Sequence, residues 1–162
     1  MKKIQLLNDD YLGHADIIRH ACRGIVIKDG KILLSYEEKN GKYMIPGGGV
    51  EGDESLEECC ARELLEETGI IVKPKDYYLE IEELFDVWQH FNHYYICDFV
   101  EDTGKLNLTE AEKLADYKPV WLPIDEAKQI FGDYEKYHQN KIEDYGLYRR
   151  EYAAITEMPF NI

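Results

Sequence analysis

Three glutamates, Glu63, Glu66 and Glu67, are spaced so that a helix would carry all of them on one face. At about 100° per residue they fall within an arc of roughly 100°. Like charges at i,i+3 and i,i+4 destabilise a helix by about 0.2–0.5 kcal/mol per pair. These three also stand in the last turn before Gly69, where the helix dipole favours cations. Glu57 and Glu58, near the other end, sit where an ordinary helix places acids. Leu56 and Cys59 share the arc of the three glutamates, so that face is not fully solvated. Carboxylates converging on a partly covered face need a counter-ion. Their oxygens suit Mg²⁺ or Mn²⁺, with water and a substrate phosphate completing the octahedron. From charge alone, a solvated acidic face on an acidic protein is the simpler alternative.

The elements around these residues must position them. Ser55 and Glu58 form a capping box, and Gly69 stands where a C-terminal cap belongs. Upstream, Pro46 is followed by Gly47, Gly48 and Gly49, whose missing side chains let backbone approach a ligand or metal. Residues 17–27 read as a strand, Asp29-Gly30 as a hairpin turn and residues 32–36 as the return strand. A polar loop over 37–42 leads to a short extended piece at 43–45. Residues 77–88 and 91–100 read as strands joined near Gln89-His90, and 117–122 as a further strand. Pro123 opens a short helix, and 144–156 reads as a C-terminal one. Interleaved strands and helices with hairpin signals predict an α/β (α+β) fold, a mixed sheet with helices packed on it.

The chain of 162 residues fits a single domain, 1–162, without repeat, linker or low-complexity segment. Its net charge of −14 argues against non-specific binding to nucleic acid or anionic membrane. A phosphate substrate remains compatible, because a divalent cation inverts the local field. The N-terminus turns polar before a signal-peptide core can form, and no apolar run approaches the roughly 20 residues that span a bilayer. Cys22, Cys59, Cys60 and Cys97 show no zinc-like spacing and read as buried thiols of a reducing, cytoplasmic compartment.

Taken together, Gly48, Glu54, Arg62, Glu63, Leu64, Glu66, Glu67, Gly69 and Ile70 resemble the signature of the Nudix hydrolases, MutT-like pyrophosphohydrolases, over residues 48–70. Every fixed position of that signature is present at its spacing. The resemblance implies an α/β/α sandwich around a central mixed sheet and hydrolysis of phosphoric anhydride bonds with Mg²⁺, or Mn²⁺. It implies Glu66 and Glu67 as principal metal ligands and Glu63 as a further ligand or the base that activates water. Arg62 would orient the glutamates, Glu54 would hold Arg62 or reach the metals through water, and the Gly47 carbonyl would ligate metal. Another glutamate on a late loop completes many family sites, with Glu110 and Glu112 as candidates and Glu112 preferred. Arg23, Gly48 and Gly49 are candidate substrate contacts.

The expected substrate is a small nucleotide-like molecule, namely a nucleoside triphosphate, ADP-ribose, dinucleoside polyphosphate or nucleotide sugar. Removal of pyrophosphate from an RNA 5′ end is the alternative within enzymes, disfavoured by the charge. A non-catalytic nucleotide sensor would be expected to have lost a glutamate or Arg62. His90 and His93, at i,i+3 in a strand, point to opposite faces, while His14 and His20 show no evident partner. Trp88 could line a base pocket. Tyr148-Arg149-Arg150 forms a basic island that could pair with the acidic body, close over a substrate or help form a homodimer.

Overall fold

A computed structural model describes residues 1–159. The last three residues of the expected 1–162 domain, 160–162, lie outside the described residues. Eight strands and four α-helices follow one another as β1 (Lys2–Leu7), β2 (Ile17–Lys28), β3 (Lys31–Glu37), β4 (Lys42–Met44), β5 (Gly47–Gly49), α1 (Leu56–Thr68), β6 (Ile70–Phe85), β7 (Trp88–Asp102), α2 (Glu110–Leu114), β8 (Tyr117–Pro123), α3 (Ile124–Gly132) and α4 (Ile142–Thr156). A 3₁₀ turn, Asp133–Tyr137, links α3 to α4.

The sheet is mixed. Its main path runs β1-β6-β7-β2-β3-β4, with β5 paired to β2 and β8 to β3. The pairs β1·β6 and β2·β7 are parallel, and the remaining pairs are antiparallel. Side chains alternate between two cores. Ile25, Ile32, Leu34, Tyr94 and Leu79 face α3 and α4, where Phe131, Ala154 and Ile155 meet them. Val26, Leu33, Tyr95 and Cys97 face α1, where Cys59, Cys60 and Leu64 meet them. Helices therefore cover both faces, giving the expected α/β/α sandwich. No helix of the described residues is long and apolar enough to cross a membrane.

The α1 boundaries follow their caps. Ser55 accepts from the Glu58 N–H, Glu58 reaches back, and Gly69 closes the helix at φ 74°. Asp29 and Gly30 both take positive φ, as a two-residue hairpin turn requires.

Other expectations change. The hairpin between β6 and β7 turns at Asp86-Val87, with Phe85 opposite Trp88, rather than near Gln89-His90. Asp86 supplies the positive φ, 48°, that glycine usually provides. The sixth strand begins at Ile70 rather than Tyr77, because register shifts around Pro74 let a Lys-Pro-Lys-Asp stretch remain in the sheet. The polar N-terminus contains β1, a sheet-edge strand that inserts only Ile4 and Leu6. The loop bearing Glu110 and Glu112 holds the short helix α2, nucleated by a Thr109–Glu112 capping box.

Leu64 is fully buried where α1 docks on β2, and a Cβ on Gly24 would lie 2.7 Å from its Cδ2. Leu64→Ala is expected to lower unfolding free energy by about 2–5 kcal/mol, measurable by urea denaturation, with the far-ultraviolet spectrum of the native state unchanged.

Candidate functional site

The sheet surface facing α4 changes character along its length. On β2 the alternating residues run from Ile25 to Arg23 and Arg19; on β7, from Tyr94 to Asn92 and His90; on β6, from Ile81 to Glu83. At that polar end a cleft of about 460 Å³ opens between the sheet, the glycine strand β5 and α1. Glu63, Glu67 and Glu112 line it together with Arg19, Arg23 and Arg150.

Arg62 organises the α1 side. Its Nε and Nη2 donate to the two carboxylate oxygens of Glu54 at 2.9 and 2.7 Å. Its Nη1 donates to Glu63 at 2.9 Å and Glu66 at 3.1 Å, and Nη2 also reaches the Gly49 carbonyl at 3.1 Å. This pairing holds the Glu54 carboxyl down at about 2 and raises the Arg62 guanidinium further above its ordinary value.

Gly48 gives Glu63 its place. A Cβ there would stand 2.5 Å from the Glu63 carboxyl carbon. A Cβ on Gly47 would strike the Cys22 carbonyl at 2.1 Å. Both glycines are thus required by close packing of β5 between β2 and α1. Burial raises the Glu63 pKa, opposed by Arg62.

Glu67 is different. It is 2% exposed, and its Oε2 accepts a hydrogen bond from the Gly47 N–H at 3.3 Å. Its Oε1 has no hydrogen-bond partner among the described residues. Burial pushes this carboxyl up to about 8. A buried carboxylate oxygen without a partner is costly, and a cation would offset that cost. The donor set around it, carboxylates and carbonyls, fits a hard divalent ion. No group of three His, Cys, Asp or Glu side chains among the described residues is already gathered closely enough to hold a metal.

The expected site residues separate accordingly. Gly47, Gly48, Gly49, Arg23, Glu63, Glu67 and Glu112 line one cleft. Glu66 lies outside its lining, held by Arg62, and Glu54 stands behind Arg62. Glu112 also spends its Oε1 on the Thr109 N–H, whereas Glu110 points to solvent beside Lys113. Arg23 is 6% exposed and donates to Asn92 Oδ1 at 3.0 Å and the Ile45 carbonyl at 3.2 Å.

Sequence reasoning missed Arg19 and His90 as lining residues, and left Arg150 among open roles. Arg19 and Arg23 recur at even spacing on β2, a signal that was available. Positive neighbours mark this wall: burial, then Arg23 and Arg150, lower the Arg19 pKa. Burial, then Arg150, Arg23 and Arg19, takes His90 down to about 2.

The basic island divides. Tyr148 accepts from the Tyr43 N–H, Arg149 binds the Leu7 carbonyl and Asn8, and Arg150 is buried against Glu83 and Glu151. His93 faces away from His90 and meets His20 and Tyr77, giving His20 the partner it lacked in the sequence. His14 likewise pairs with Asp16 at 3.1 Å. Trp88 stacks on Phe85 and is absent from the cleft lining, where Phe85 and Tyr117 stand instead. All four cysteines are free and buried.

Known proteins resemble this chain in sequence and fold. A MutT-like protein from Streptomyces ambofaciens is 32% identical over 113 residues, covering 68% of this chain and 67% of that protein. An ADP-ribose pyrophosphatase from Methanocaldococcus jannaschii is 48% identical over 58 residues, 34% of each chain, so the match spans about a third of that relative's length. A NUDIX hydrolase from Nitrosomonas europaea superposes with a TM-score of 0.61 at 21% identity, covering 88% of this chain and 93% of the other, and shares the fold. The NUDIX domain family itself matches residues 18–143. With that match laid over the α1 glutamates, Arg62 and the glycine strand, the chain belongs to the Nudix family.

Proposed function

We propose that this protein hydrolyses a diphosphate linkage in a small nucleotide-like molecule, using Mg²⁺ or Mn²⁺ held by the α1 glutamates. The observation that carries this reading is the buried Glu67 carboxyl, with one oxygen unpartnered among the described residues, lining a cleft that also contains Arg19, Arg23 and Arg150. Nucleoside triphosphates, ADP-ribose, dinucleoside polyphosphates and nucleotide sugars all present the required diphosphate. The four buried free thiols support a reducing, cytoplasmic setting.

Glu67, Glu63 and Glu66, with the Gly47 carbonyl and Glu112, are the groups that would hold the ion. When bound, it neutralises the diphosphate and acidifies the attacking water. The rest of the work falls to the chain. Arg62 keeps Glu63 in place, and Glu63 stands on the cleft wall where it can take the proton of that water. Arg23 and Arg19 have no carboxylate within ion-pair distance among the described residues, whereas Arg150 has two. The first two are therefore free to hold phosphate oxygens in line for displacement. No side chain need act as a covalent nucleophile.

The direct test incubates the protein with such nucleotides in Mg²⁺, Mn²⁺ or EDTA and separates the products by chromatography. Cleavage at a diphosphate bond in either metal, abolished by EDTA, is the expected result. Absence of both turnover and metal binding would overturn the assignment in favour of a nucleotide sensor. Glu67→Gln should lower kcat by about 10²-fold or more. In EDTA it should melt no lower than wild type, because a neutral isostere replaces an unpaired buried carboxylate. Adding Mg²⁺ should then raise the Tm of wild type but not of Glu67→Gln. Arg62→Lys, which cannot hold Glu54, Glu63 and Glu66 together, should reduce kcat by about 10²-fold through displaced carboxylates, read by steady-state kinetics on whichever nucleotide is turned over.

A further inference from the structure

Arg23, which lines the cleft, belongs to a closed ring of hydrogen bonds. Its Nε donates to Asn92 Oδ1 at 3.0 Å, and Asn92 Nδ2 donates to Glu83 Oε1 at 2.9 Å. The same Glu83 oxygen accepts from Arg150 Nη1 at 3.1 Å, and Arg150 Nε donates to Glu151 at 3.0 Å. Glu151 accepts from the Ile45 N–H, and the Ile45 carbonyl accepts from Arg23 Nη1 at 3.2 Å, which completes the circuit. Asn92 and Glu151 are fully buried, and Arg23, Glu83 and Arg150 are nearly so.

Two arginines balance two carboxylates in this ring, yet the charges are unevenly shared. Both carboxylates lie within ion-pair distance of Arg150. Between Arg23 and each of them stands a neutral spacer: the Asn92 side chain towards Glu83, and the Ile45 backbone towards Glu151. Both spacers are oriented alike, with the N–H end on the carboxylate and the oxygen on Arg23. For Asn92 the neighbours dictate this order. A flipped amide would set its NH₂ against a guanidinium and its oxygen against a carboxylate. A carboxylate in its place would grip Arg23 more strongly but would also cancel its charge. The amide fixes Nε and leaves the cation uncompensated. Nη2 is the nitrogen that neither spacer occupies.

We propose that Asn92 is a positioning residue for phosphate binding: it orients Arg23 through a neutral contact and so keeps the charge of Arg23 available to a phosphate of the substrate. This role rests on the proposed hydrolysis, which sets phosphate oxygens against Arg23. Of the two spacers only Asn92 is a side chain, so it is the one that substitution can exchange.

A charge-moving pair separates this role from simple packing. Asn92→Asp/Glu83→Gln transfers one negative charge from the Arg150 side of the ring to the Arg23 side. The number of buried charges is kept, and the new amide at 83 can donate to the new carboxylate at 92. Affinity for inorganic pyrophosphate would be measured by calorimetry in magnesium buffer, alongside thermal melts. The pair is expected to melt close to wild type yet bind pyrophosphate about tenfold or more weakly. In an Arg23→Gln background the same exchange should change affinity little, because the charge it cancels is already gone. If the pair fails to fold, Asn92→Thr keeps a neutral group that can accept from Arg23 and donate to Glu83. It should hold affinity within about threefold of wild type. A folded pair with wild-type affinity would overturn the proposal, as would an equal loss in the Arg23→Gln background. So would a folded Asn92→Thr as weak as Arg23→Gln, or a wild type that binds no pyrophosphate. Turnover of the nucleotide panel reports the hydrolase reading separately, so the two can fail independently.

Discussion

One guanidinium arranges the acidic half of the cleft. Arg62 binds Glu54 through two parallel bonds, and from the same plane it reaches Glu63, Glu66 and the Gly49 carbonyl. Without it, α1 would hold several like charges against one another in a turn whose dipole already disfavours them. With it, repulsion becomes position, because Glu54 is drawn to the Nε–Nη2 edge of a rigid fork while Glu63 and Glu66 share Nη1. Lysine has the charge but not the geometry. Glu67 alone is left without such a tether, and it is also the carboxylate that burial penalises most plainly. Arg62 therefore separates the carboxylates it binds, Glu54, Glu63 and Glu66, from Glu67, whose Oε1 has no hydrogen-bond partner among the described residues.

A second network holds the opposite wall. Arg23, Asn92, Glu83, Arg150, Glu151 and Tyr94 form a continuous chain of hydrogen bonds on the α4 side of the sheet. Buried ionic groups are poor contributors to stability compared with well-packed apolar ones. Their retention across three strands and a helix fits a surface kept polar for a ligand. In a protein of net charge −14, this is where cations are concentrated and kept from the acidic exterior.

Much of this was legible in the chain itself. Ser55, Glu58 and Gly69 announced the α1 boundaries because capping is a local matter, decided within a few residues. The spacing of Arg62, Glu63, Glu66 and Glu67 announced chemistry because it contradicted helix electrostatics. What stayed hidden depended on distant partners. The first strand went unread in a polar N-terminus, since an edge strand on β6 needs only Ile4 and Leu6 to point inward. Pro74 disguised the start of β6, because only the register shifts of the paired strand show how a proline is absorbed. Asp86 disguised the turn, being a residue that tolerates left-handed backbone without advertising it. Arg150 and His90 could not be joined by inspection, as sixty residues separate them and only the sheet brings them together.

The parallel pairings carry a consequence for how the molecule comes into being. Lys2 lies beside Leu79, and Ile17 beside Trp88, so neither of the first two strands completes its sheet contacts until some seventy residues more of chain have emerged. Such long-range closures are slow compared with helix or hairpin formation. The wall contributed by α4 comes later still, since Arg150 follows all eight strands. During synthesis the glutamate helix α1 is therefore made well before Arg150, which lines the same cleft. The cleft is complete only with the final helix, and a half-made chain is a folding intermediate with an exposed sheet edge.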